Sequence, residues 1–345
     1  MKVAVVGATG YSGAELVRLL HNHPKVSLHS IYASSMFGTA LKTAYPHMDS
    51  FIEHRLEDVD VDRLAKEVEL VFTATPNGVA RELAPQLLER GVKVIDLSGD
   101  FRIKDRQVYK DWYGQEASPQ ALLDQAVYGL TEWKKEELKG AELVANPGCF
   151  PTGTLLGLLP LVSEGIVEEN SIIIDAKTGV SGAGKGYSSA THFSETNENF
   201  KIYKVNEHQH TPEIEQGLRA VNEAVEAVTF SPHLAPMTRG ILATIYAMPK
   251  KPVQVEELYE LYRQRYAEDY FVRLRPTGHF PATKEVYSSN FCDIGVTYDE
   301  RTNRITVVTA IDNLVKGAAG QAVQNMNIVF GFEETDGLQV MPIYP

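Results

Sequence analysis

Cysteine is scarce, with Cys149 and Cys292 the two in 345 residues. Two thiols cannot build a disulfide framework, and no Cys/His cluster has zinc-ligand spacing, so a reducing compartment and no structural metal are expected. Positive charge is also in deficit. With 33 Lys and Arg against 45 Asp and Glu, the net charge is −12, which favours solubility and argues against a nucleic-acid or anionic-membrane partner. An anionic small substrate is still compatible, because a local group of donors overrides the global sign. No apolar run is long enough to span a bilayer, and the opening Met1-Lys2-Val3-Ala4-Val5-Val6 lacks a signal-peptide layout, so a cytoplasmic location is expected. Repeats, low-complexity stretches and flexible linkers are missing too. A chain of 345 residues exceeds one ordinary core and suits two domains.

What is present begins with a strand, a glycine-rich turn and a helix. Val3 to Val6 is a β-branched run of the kind buried in a parallel sheet, and Gly7-Ala8-Thr9-Gly10-Tyr11-Ser12-Gly13 follows at once. Gly7 permits the tight turn, Gly10 lets backbone approach a pyrophosphate, and Gly13 lets the helix pack on the strand. The segment Gly7, Thr9, Gly10, Tyr11, Ser12 and Gly13 is therefore a candidate dinucleotide site at a helix N-terminus. A second strand over 27–33 ends at Ser34 and Ser35, where an NAD-preferring protein tends to carry an acid. With no carboxylate to repel a 2′-phosphate, NADP is the expected cofactor. Strands over 70–74 and 92–97 alternate with a helix over 79–89, which predicts a doubly wound α/β sheet with ligands beyond the C-terminal strand ends. Ser98 and Arg102 follow the fourth of these strands. A guanidinium there can fork onto a phosphate or carboxylate, or pair with an acid such as Asp100.

Around Asn146-Pro147-Gly148-Cys149-Phe150-Pro151-Thr152, the apolar lead-in Leu143-Val144-Ala145 gives way to an apolar helical run. Cys149 is expected in the turn between them, where free N–H groups and the positive end of the helix favour a thiolate and can hold an oxyanion. A merely packed cysteine is the competing reading. Beyond it the texture changes. A strand over 171–176 leads into the anion-cradle loop Lys177 to Lys185, whose spacing is not that of a Walker P-loop. Glu207-His208-Gln209-His210-Thr211-Pro212 then precedes a helix, with Thr211 as N-cap, and two imidazoles two residues apart can face one cleft. Strands at 228–233, 240–247, 286–296 and 304–311 predict a mixed α+β domain with a largely antiparallel sheet. A small-residue helix from Asp312 to Ile328 is expected to pack back on the first domain.

These motifs, in this order, resemble the N-acetyl-gamma-glutamyl-phosphate reductase family, which groups with aspartate-semialdehyde and glyceraldehyde-phosphate dehydrogenases. The resemblance runs nearly end to end. It implies a Rossmann-type dinucleotide-binding domain over 1–148 plus 313–345 and a catalytic and oligomerisation domain over 149–312, which the lack of a flexible linker leads us to expect joined tightly around one cleft. It also implies NADPH-dependent reduction of N-acetyl-glutamyl 5-phosphate to the 5-semialdehyde in arginine biosynthesis, through a Cys149 thioester. His208 is favoured as the acid/base, with His210 orienting substrate or capping its helix. Gly182 and Asn313 correspond to segments around the nicotinamide, Ser98 to a cofactor neighbour and Arg102 to a substrate neighbour. A homodimer or homotetramer is implied. One departure is Met36-Phe37-Gly38-Thr39, where relatives carry a basic residue, which leaves Ser34 and Ser35 to bind the 2′-phosphate. The alternatives are a sister reductase of aspartyl or carrier-linked aminoadipyl phosphate, and a non-catalytic NADP-binding sensor.

Overall fold

The computed structural model describes residues 1–33 and 36–345. Among them the strands form two sheets of seven, one in each of two compact units. The first unit comprises Met1–Gly148 and Ala318–Val340, the second Cys149–Gly317 and Met341–Pro345. The segment 313–317, placed with the dinucleotide domain from sequence, thus clusters with the second unit, as does the C-terminal tail.

In the first unit the strands are β1 (Lys2–Val6), β2 (Ser27–Tyr32), β3 (Leu56–Glu57), β4 (Leu70–Thr73), β5 (Lys93–Asp96), β6 (Val127–Tyr128) and β7 (Leu143–Ala145). They run parallel in the order β3-β2-β1-β4-β5-β7-β6. The strand order reverses direction between β1 and β4, which is where an open parallel sheet binds its ligand. Val3 to Val6 and Leu70 to Thr73 are buried at every position, as continuous β-branched runs demand when both faces are covered. The Val79–Leu88 helix starts at Gly78, whose φ of 95° is open to glycine. Its N-terminal amides are held by Asp100, which accepts from Gly78 N–H at 2.8 Å and Arg81 N–H at 3.0 Å. The carboxylate considered as a partner for Arg102 is therefore engaged as a remote helix cap.

The second unit contains β8 (Ile173–Thr178), β9 (Lys201–Ile202), β10 (Thr229–Leu234), β11 (Ile241–Ala247), β12 (Val272–Leu274), β13 (Cys292–Asp299) and β14 (Arg304–Ile311). Their order is β12-β13-β14-β11-β8-β10-β9, with β12/β13 and β8/β10 parallel and the other pairs antiparallel. Val286 ends a 3-10 turn over Thr283–Val286 and β13 opens at Cys292, so the strand expected from 286 is shorter. Cys292 is wholly buried.

One face of this sheet is covered by the Cys149–Ser163 helix and the Val255–Arg265 helix. The first is apolar all round and buried from Phe150 to Val162, the signature of a core helix. Pro160 lies inside it and has no N–H, which would orphan the carbonyl of Leu156. The Tyr266 hydroxyl donates to that carbonyl at 2.5 Å, and the Tyr262 hydroxyl donates to the next one, Gly157. Two tyrosines of a neighbouring helix thus replace what the proline removes.

Candidate active site

Backbone constraints build the glycine turn. Gly7 has φ 93°, and a Cβ there would lie 2.2 Å from the Ala74 carbonyl oxygen. A Cβ on Gly13 would lie 2.2 Å from the Gly7 carbonyl oxygen, so the Tyr11–His21 helix can approach the turn only through glycine. At Gly10 the nearest atom to such a Cβ is 3.5 Å away, which leaves the position open to an approaching ligand. Thr9, Tyr11 and Ser12 complete this turn, and Tyr45 O–H donates to the Thr9 carbonyl at 3.0 Å. Among the described residues no side chain caps the helix, so its first amides suit a pyrophosphate. Ser34 and Ser35 lie outside the described residues.

At the end of β5, Asp96 is fully buried and accepts from Thr73 Oγ1 at 2.7 Å and Ser98 Oγ at 2.7 Å. Burial first, and then the charge of Asp100, push its carboxyl up to about 6. Ser98, expected beside the cofactor, is itself buried, its hydroxyl also accepting from the Asp100 amide at 3.2 Å. Arg102 is buried as well. Its Nε donates to the Asn146 carbonyl at 2.8 Å and its Nη2 to the Leu97 carbonyl at 2.7 Å, so it braces the strand ends that flank the cysteine turn.

Asn146 is fixed at all four polar groups. Its N–H donates to Asp96 O at 2.8 Å and its carbonyl accepts from Arg102. Nδ2 donates to Ala318 O at 3.1 Å, and Oδ1 accepts from Asn325 Nδ2 at 3.0 Å. Cys149 follows three residues later as the first residue of its helix, partly exposed. The expected turn is therefore the helix start itself, where the orphan amides and the macrodipole favour a thiolate.

The histidine pair reaches this helix through aromatic contact in the second unit. Phe150 meets the His208 ring edge-on at 5.4 Å and His210 at 5.9 Å, and the two imidazole centroids are 4.8 Å apart. Both histidines are buried. The helix begins at Thr211, and His210 occupies the N-cap position without its side chain capping, so capping is not its role. The His210 amide donates to His208 Nδ1 at 3.1 Å. A neutral His208 therefore carries its proton on Nε2, which lies 3.5 Å from the Tyr203 hydroxyl. Burial first, and then the Lys204 charge, push the His208 imidazole down to about 4.

Tyr203 was not singled out from sequence. Burial and the negative charge of Cys149 hold its hydroxyl above its ordinary range, which makes it a neighbour of the thiol. The signal available was its position five residues before His208. In the same unit Asn313 Nδ2 donates to Ser181 Oγ at 2.9 Å, and Asn313 Oδ1 accepts from the Gly240 amide at 2.7 Å. Gly182 sits over Thr178 in that 3-10 turn, so the loop and Asn313 are brought together. Among the described residues no cluster of His, Cys, Asp and Glu could hold a metal.

A parallel sheet with an uncapped glycine turn, and a mixed sheet whose covering helix starts on Cys149 and packs the next residue, Phe150, against two imidazoles, define a dehydrogenase of the semialdehyde dehydrogenase class. Residues 2–141 match the semialdehyde dehydrogenase NAD-binding domain and residues 149–313 the semialdehyde dehydrogenase dimerisation domain. The fold is that of solved aspartate semialdehyde dehydrogenases. The Vibrio cholerae enzyme II superposes with a TM-score of 0.73 at 19% identity, over 95% of this chain and 97% of that one. The chain belongs to the N-acetyl-gamma-glutamyl-phosphate reductase family. It is 59% identical to the protein of that name from Geobacillus kaustophilus and 60% to that from Geobacillus stearothermophilus, each over 100% of both chains. The Bacillus anthracis relative is 55% identical, again over 100% of both.

Proposed function

We propose that the chain reduces N-acetyl-glutamyl 5-phosphate to N-acetyl-glutamate 5-semialdehyde and phosphate, a step of arginine biosynthesis. The end-to-end identity to relatives of that name supports the reaction, and a buried helix that starts at Cys149 and packs Phe150 against two histidines supports its route. The Cys149 thiolate attacks the acyl carbon, the C–O bond to phosphate breaks, and a thioester remains. The Gly7–Gly13 turn would hold the pyrophosphate of the dinucleotide, and NADPH when bound supplies the hydride that reduces the thioester carbon. The amides at the start of the Cys149–Ser163 helix hold the resulting oxyanion. Its collapse breaks the C–S bond, releases the aldehyde and restores the thiolate.

Proton handling falls to the imidazoles. A His208 that titrates near 4 is neutral at pH 7, and its Nδ1 lone pair is already used, so it serves best as an Nε2–H donor that orients. We assign the proton transfer to His210, the reverse of the order set out from sequence. His210→Gln is expected to lower kcat about 10²–10⁴-fold and to remove an ionisation from the pH–rate profile. His208→Gln keeps that ionisation; the opposite pattern returns the role to His208. Ser34 and Ser35 are assigned the 2′-phosphate, Asn313 and Gly182 the nicotinamide side, and Arg102 the bracing of the turn beside the substrate.

The outward face of the second sheet, with Ile173 exposed and Leu242, Thr244 and Tyr246 half-buried, lies within the stretch that matches a dimerisation domain. A second copy of the chain is the partner proposed for it. Among the described residues no helix is long and apolar enough to cross a membrane, and a cytoplasmic site of action is proposed. The deciding experiment is mass spectrometry after quenching with the acyl phosphate in the absence of NADPH. A substrate-sized adduct on Cys149 is expected, and labelling elsewhere or nowhere overturns the route. Turnover in reverse with aspartate semialdehyde in preference to N-acetyl-glutamate semialdehyde overturns the substrate.

A further inference from the structure

We propose that Gly317 is a positioning residue for the nucleophile, an inference that rests on the reading of Cys149 given above. The Val315–Ala319 segment is a π-helical turn, closed where the Gly317 amide donates to the Asp312 carbonyl, five residues back, at 3.0 Å. Asp312 anchors it. Its buried Oδ1 accepts from the Leu314 and Val315 amides at 2.8 and 3.1 Å, and Oδ2 from the Ser288 amide at 2.7 Å and Arg239 Nη1 at 3.3 Å. A π-turn is rare and re-aims the backbone that follows it, and such turns concentrate at functional sites.

Here the turn lays a bare glycine against the reacting residue. A Cβ on Gly317 would lie 2.8 Å from Cys149 Cβ, 3.2 Å from Cys149 Cα and 3.4 Å from Ile311 Cδ1. Its backbone is outside the left-handed region, so dihedral freedom is not what demands glycine; the contact is. Cys149 cannot recede, because the helix behind it is buried from Phe150 onward and Gly153 of that helix already approaches Thr309 and Ile311. Any side chain at 317 therefore shifts the first turn of the helix, and with it the sulfur relative to the amides that stabilise its charge. A misplacement on the order of 1 Å costs about 10²-fold in rate.

The test is Gly317→Ala, read in three ways. Expected are a kcat lowered about 100-fold, a shifted pH profile for alkylation of Cys149 by iodoacetamide, and an NADPH affinity within about twofold of the parent, the scatter expected where no contact to the ligand changes. A purely structural role would leave the alkylation profile of the folded fraction unmoved. To separate instability from misplacement, its thermal midpoint is also compared in a Cys149→Gly background, which removes the opposing Cβ. Destabilisation by Gly317→Ala is expected to shrink there. Equal destabilisation in both backgrounds, or parental kcat with an unmoved alkylation profile, overturns the positioning role. Turnover by Cys149→Ala would instead overturn the nucleophile reading, so the two failures are distinguishable.

Discussion

The two seven-stranded sheets are built on opposite burial logic. In the first, β1 and β4 are buried at consecutive positions, because parallel strands linked by crossover helices are covered on both faces. In the second, β8, β10 and β11 alternate buried residues with half-buried or exposed ones along their length, because the helices cover one face only. Their acids follow suit. Asp96, at the end of β5, is fully buried among neutral hydroxyls. Asp175, in β8, faces outward and pairs with Lys177 at 2.9 Å and His233 at 3.1 Å. A buried carboxylate without a cationic partner keeps its proton longer, as Asp96 does.

The largest effect that would break this contrast comes from a charge placed in each sheet. Val71→Asp, at a fully buried position, is expected to cost more than about 4 kcal/mol and to abolish soluble expression. Thr244→Asp, on the half-buried face, is expected to leave the fold intact and to act on subunit association, read by sedimentation. Equal unfolding by both would erase the distinction between the sheets.

A middling effect comes from pH. The Asp96 carboxyl is raised from its ordinary value to about 6 in the folded state, so between pH 4 and 6 the folded protein holds more proton than the unfolded chain. The stability it contributes is fully present below about pH 4 and lost as pH rises through 6, on the order of 2–3 kcal/mol. Asp96→Asn is expected to flatten urea stability over that range, and an unchanged slope would assign the pH dependence elsewhere. The smallest effect belongs to Asp175→Asn, under about 1 kcal/mol, because its ion pairs are partly solvated. A larger loss in the isolated subunit would show that the outward face is better shielded than its exposure indicates.

Much of this was legible in advance, and the failures are specific. The strand–turn–helix over 2–21 was readable because glycine at 7 and 13 answers local steric demands that hold wherever the turn is placed. The cysteine turn was readable from Pro147 and the apolar helix that follows. The bracing by Arg102 was not, since in sequence a guanidinium reads equally well as a substrate ligand or as a partner of Asp100, and its bond to Asn146 spans 44 residues. His208 and His210 stand out as a pair in the sequence, and their rings lie 4.8 Å apart in the fold. Their order of roles depends on one amide bond to Nδ1 and on burial, neither of which has a sequence signature. Tyr203 and Gly317 carry no signal in the sequence, because only the fold sets the one within the influence of Cys149 and the other against it.

Periodicity and composition determined the classes of the two domains, the position of the glycine turn and the candidacy of Cys149, since these depend on backbone sterics and on which faces must leave water. Tertiary structure alone decided that Asn325 holds Asn146, that two tyrosines replace the bond Pro160 removes, and that a π-turn presses Gly317 on the thiol's own carbon. Such pairings join residues more than a hundred positions apart. The local chain carries no preference for one distant partner over another until packing excludes the rest.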